Sequence, residues 1–133
     1  MRDAGRVTLR HIGTFRFYCR AAAVVFGLYT AYPLVMKIAE DRLAHDWAHS
    51  ALHLASAVLA TYAGWFARSD VPAKMFTWAI GVLYGILGVA GWFIDGLLLD
   101  TPVAIPLDTP ANVFHLVLAV PALALGIRSA ADR

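Results

Sequence analysis

Four apolar blocks, each close to the length that crosses a lipid bilayer, leave this chain few folds to choose from. Phe15–Met36, Trp47–Phe66, Met75–Ile94 and Ala111–Ile127 make up most of the 133 residues. A hydrocarbon core of about 30 Å takes roughly 20 helical residues at 1.5 Å each. Backbone in lipid has to satisfy its own N–H and C=O groups, which helices and closed barrels do and open sheets do not. No block alternates apolar and polar residues with the period of two that a barrel strand requires. Charged residues are 15% of the chain, against about a quarter in a soluble domain. The expected fold is all-α: an integral membrane four-helix bundle, one domain over 1–133. Its helices fall at about 15–36, 47–66, 75–94 and 111–127, with a basic arm over 1–14 and an outer loop over 95–110.

The basic residues set an expected orientation. Arg2, Arg6, Arg10, Arg16 and Arg20 lie in or near the arm, Arg68 and Lys74 between the second and third blocks, and Arg128 and Arg133 in the tail. That is nine of the eleven Lys and Arg on one side, with Lys37 and Arg42 on the other. The positive-inside rule then puts both termini in the cytoplasm, in a multi-pass protein of the cytoplasmic membrane. The net charge of +2 is on this reading an orientation signal with no nucleic-acid footprint. The first three arginines, spaced by four, also suit an interfacial helix on anionic lipid, although anchoring of topology is the plainer account. Cys19 has no second cysteine to pair with. The first block exceeds fifteen apolar residues and lacks a small-x-small site after it, so an uncleaved helix is expected rather than a signal peptide.

A duplicated frame runs through the second and fourth blocks. A histidine follows an aspartate by seven residues in Asp46…His53 and again in Asp108…His115, 62 residues on. A weaker echo links Val24-Val25-Phe26-Gly27-Leu28 to Val82-Leu83-Tyr84-Gly85-Ile86. Two helical hairpins in the same topology, related by a pseudo-two-fold along the membrane normal, account for both. The third block carries Gly81, Gly85, Gly88 and Gly91, and Gly81 and Gly85 have the small-xxx-small spacing that serves close packing inside the chain before a dimer seam. Trp47, Trp65, Trp78 and Trp92 fall mostly near block ends, as an aromatic belt would. Asp46 and Asp108 stand where helix caps belong, and Thr-Pro after Asp108 strengthens that assignment.

Ionisable groups in hydrocarbon cost at least a few kcal/mol and so mark candidate sites. His45, His49 and His53 share one helix face at spacings of four, and His115 is the repeat partner of His53. His49, His53 and His115 could hold a metal ion, the first two as an i,i+4 pair. His53 and His115 could instead ligate haem b from either side. The same imidazoles could serve a proton or quinone site. The plainer role is structural: a buried histidine bonding a carbonyl or hydroxyl of a neighbouring helix, with Tyr29, Thr30, Tyr32 and Ser56 as partners. Asn112 would bond the second helix or orient His115.

At these residues the chain resembles a known family. His49-Ser50-Ala51-Leu52-His53-Leu54, Val82-Leu83-Tyr84-Gly85 with Gly91-Trp92-Phe93-Ile94-Asp95, and Pro106 to Leu118 are similar to the small four-helix bacterial membrane proteins grouped as domain of unknown function 4383. The resemblance spans roughly 45–127 and implies a four-helix integral membrane protein, with no activity to carry over. Ala55, Ala119 and Asp108 depart from the Gly, Gly and Asn often found in the family. The expected function is that of a non-enzymatic membrane protein, acting in the bilayer as a homo-oligomer or as an accessory subunit of a larger complex. The alternatives are the metal- or haem-binding module and, with oligomerisation, a transporter or channel.

Overall fold

The computed structural model describes the backbone over residues 2–40, 47–94 and 107–132. Among these residues there are four α-helices and no strand: α1 Arg2–Ala39, α2 Trp47–Thr61, α3 Val71–Ala90 and α4 Thr109–Ala131. A π-helical turn, Tyr62–Phe66, continues α2. Three helices contain stretches long and apolar enough to cross a membrane: Thr14–Met36, Val71–Ala90 and Thr109–Ala131. α2 has 15 residues and needs its five-residue π continuation to approach that length.

The side chains sort inside out, as they do when lipid is the solvent. The interior holds many small residues, among them Ala22, Ala23, Ala60, Ala63, Ala73, Ala119 and Ala122. Large aliphatic and aromatic groups point outward, with Phe17 70%, Leu28 73% and Ile86 62% exposed. In water such a surface would drive association, whereas lipid tails are as apolar as leucine and leave close backbone approach to hold helices together. The protein is a small membrane protein of helical-bundle type.

Helix boundaries follow local chemistry more than block edges. α1, at 38 residues, is about 57 Å long at 1.5 Å per residue, roughly twice the hydrocarbon thickness. The basic arm is therefore a helical extension of the first span. α3 starts at Val71, with Pro72 in its first turn where no N–H is missed. It passes into turns at Gly91, short of the expected end at Ile94. α4 starts behind Asp108, whose side chain accepts the Ala111 N–H at 2.9 Å. Asp46 and His45 lie outside the described residues, as does most of the outer loop, 95–106.

α3 and α4 meet along glycines. A Cβ at Gly81 would press on Leu123 at 2.9 Å, one at Gly88 on Leu116 at 2.8 Å, and one at Gly126 on Trp78 at 2.7 Å. Gly85 faces Ala119 and Leu123. The small-residue stripe is used within the chain.

Two arginines fasten α1 to the π turn and to the segment leading into α3. Arg16 donates to the Asp70 carboxylate at 2.6 Å and to the Ala67 and Ser69 carbonyls at 3.1 Å each. Arg20 donates to the Gly64 carbonyl at 2.9 Å and lies over Trp65. Two of the arginines expected to set the topology thus make specific bonds. A hydrogen bond to a charged group contributes about 1.5–3 kcal/mol, so Arg16→Gln should lower thermal stability in detergent by an amount of that order. Arg16→Lys should restore little of it, because one ammonium lacks the planar fork that reaches a carboxylate and two carbonyls together. An unchanged melting temperature in Arg16→Gln would remove the clamp from the account.

Candidate metal centre

His49 and His53 sit one turn apart on α2, and their rings lie 4.4 Å apart between centroids. α4, packed mainly against α3, brings His115 to 6.4 Å from His49 and 6.1 Å from His53. His53 and His115 are each the seventh residue of their helices, so both lie about 9 Å along the axis from the first residue. That common level lets two helices present imidazoles to one point. One ring nitrogen from each of the three histidines lies within 4.8 Å of the others. A tetrahedral ion with Zn–N bonds of about 2.0–2.1 Å needs its ligand nitrogens ~3.3 Å apart. Ring shifts of about an ångström would close the set on an ion.

Aromatic side chains from α1, α3 and α4 pack against His53 and His115. Phe26 lies 5.7 Å from His53, edge-on, and Phe114 lies 5.3 Å from it. Tyr84 meets His115 edge-on at 5.0 Å, and its hydroxyl shares a hydrogen bond with Ser56 at 3.1 Å. His115 is 0% exposed, and neither of its ring nitrogens has a hydrogen-bond partner among the described residues. A buried polar group left in that state costs about 1–3 kcal/mol.

Three of the four partners expected for a purely structural histidine are engaged elsewhere or turned outward. Ser56 bonds Tyr84. Tyr29 stacks on Phe114 at 4.0 Å, and Tyr32 is 72% exposed. Asn112 takes neither role expected of it: its amide donates to the Leu107 carbonyl at 3.5 Å, and its oxygen sits against Gly91. A Cβ at position 91 would overlap the Asn112 side chain where it now lies, so a larger residue there would have to displace Asn112.

A cavity of about 250 Å³ adjoins the histidines. His49, His53, Ser50, Tyr29, Thr30 and Asp108 are among its lining residues, with Pro33 and Pro110 at its walls. Pro33 lacks an N–H, so the Tyr29 carbonyl loses its usual donor four residues on. The hydroxyl of Thr30, a residue 6% exposed, has no hydrogen-bond partner among the described residues. Thr30 was expected as a partner of the histidines, whereas Tyr84, Phe26 and Phe114 were not legible as site residues. Only the Tyr84 segment carried a signal, through its echo of the Phe26 segment.

Residues 63–128 match the family described as a domain of unknown function (DUF4383). The match takes in Tyr84, Asp108, Asn112 and His115, and it begins after His49 and His53. The resemblance seen in the sequence therefore holds over the π turn, α3 and most of α4. No curated protein and no solved structure matches the chain.

Proposed function

We propose that this small membrane protein binds a transition-metal ion through His49, His53 and His115. One observation carries the reading: three imidazoles from two helices place ligating nitrogens within 4.8 Å of one another, around a fully buried His115. Neutral imidazole suits zinc, copper, iron and nickel, and a three-nitrogen set suits zinc in particular. An ion would also give His115 the partner its surroundings withhold. The nine basic residues on one side support cytoplasmic termini, and on that orientation the site, about two turns in from the starts of α2 and α4, lies beneath the outer membrane face.

An ion is favoured over a porphyrin by the packing. A haem held between His53 and His115 would need a planar slot far wider than an imidazole. Phe114 stands 5.3 Å from one ring and 6.1 Å from the other, with Tyr84 at 6.1 Å and 5.0 Å. The accessory-subunit and oligomer proposals concern the lipid-facing surfaces and are compatible with an ion inside.

Elemental analysis tests the reading. The protein, extracted in mild detergent and purified without chelators or a histidine tag, should carry about one transition-metal ion per chain or take one up on titration with zinc. Failure to hold any ion above background after such a titration would refute it.

A further inference from the structure

We propose that the ion keeps one coordination position open to the cavity, and that a water molecule or small anion occupies it and exchanges there. The inference rests on the three-histidine reading above and adds what the fourth ligand is. Three protein ligands leave a tetrahedral ion one position short, the arrangement found where metals bind exchangeable ligands rather than serve as closed structural staples. No fourth protein ligand joins the cluster among the described residues. Asp108, the nearest candidate along the cavity wall, spends a carboxylate oxygen on the Ala111 N–H.

The cavity is shaped for such a ligand. His49 and His53 form part of its wall, so a ligand on the ion has a space to project into. Its volume of about 250 Å³ far exceeds the roughly 10–15 Å³ that admits one water. It falls below the ~300–1,000 Å³ of sites for drug-sized molecules. Water and anions of a few atoms fit. The chemistry of the wall suits them: the Thr30 hydroxyl is buried, unbonded among the described residues, and lines this space. As a donor it would hold an anionic ligand, and as an acceptor, with the freed Tyr29 carbonyl, it would hold the protons of a bound water. Exchange breaks one metal–ligand bond and forms another, with no change in oxidation state.

Cobalt(II) and azide test this. The full-length protein in detergent, loaded with one equivalent of Co²⁺, should show visible d–d bands of a four-coordinate ion. Azide should shift those bands saturably and reversibly on dialysis. Thr30→Val, which keeps the side-chain shape and removes the hydroxyl, should weaken azide by about 10- to 150-fold, the value of one hydrogen bond to an anion. Thr30→Ser should recover most of it. Cobalt bound with bands indifferent to azide would overturn the open position and leave the three-histidine site standing. An azide effect that persists as lost cobalt after dialysis, or one equal in Thr30→Val, would overturn the cavity assignment. Absence of stoichiometric cobalt would instead sink the ion reading itself.

Discussion

Glutamine at His53 or at His115 should each strip the ion from the protein, with metal content falling from about one per chain to background. Glutamine keeps a polar side chain of similar reach in the interior without a metal-ligating imidazole, so the bundle should still fold. Loss of an outer partner to a metal ligand costs about 10–100-fold in affinity, and loss of a ligand outright should exceed that. The stability readout separates ligation from packing. An ion at 100 times its dissociation constant stabilises the folded state by about 2.7 kcal/mol. The native protein should therefore melt higher with zinc than with a chelator, while both variants should melt alike in the two conditions. Affinity should also fall as the pH drops, because protonated imidazole has no lone pair to donate. If His53→Gln and His115→Gln retain the ion and the zinc-dependent shift, these histidines do not hold it.

Much of the fold could be read from the chain, because the blocks that lipid demands are long and unmistakable. The Asp108-Thr109-Pro110 start of α4 and the one-turn spacing of His49 and His53 are likewise local signals, set by backbone geometry alone. What the sequence concealed depends on how the helices are rotated. In water a helix declares its buried face by apolar periodicity. Here the lipid-facing side is as apolar as the interior, and Phe17 and Leu28 look no different in sequence from Phe15 and Phe26. The approach of Phe26, Tyr84 and Phe114 to the histidines is a matter of that rotation. So is the pairing of Arg16 with Asp70, 54 residues away. Pro33 lines the cavity, and its missing N–H is visible in the sequence while the neighbours it faces are not.

The rotation of α4 against α3 is fixed by close contact, and disturbing it at one glycine should reach the proposed metal site. A Cβ at Gly88 would stand 2.8 Å from the Leu116 side chain and 3.2 Å from the Cβ of His115. Leu116 can turn, but a histidine Cβ moves only with its backbone. Gly88→Ala should therefore push the His115 segment of α4 away from α3. Overpacking of this kind costs about 1–3 kcal/mol, although alanine returns up to about 1 kcal/mol of helix propensity. The larger effect should fall on binding, since ligand nitrogens already have to close by about an ångström around an ion. Zinc affinity should drop by about 10–100-fold, as when a ligand loses its orienting neighbour. Gly27→Ala supplies the comparison, because a Cβ at Gly27 meets nothing within 4 Å. It should leave zinc affinity unchanged and hold or raise stability. Equal zinc affinity in Gly88→Ala and the native protein would mean that contact between α3 and α4 does not position His115. A matching loss in Gly27→Ala would point to a general loosening of the bundle in its place.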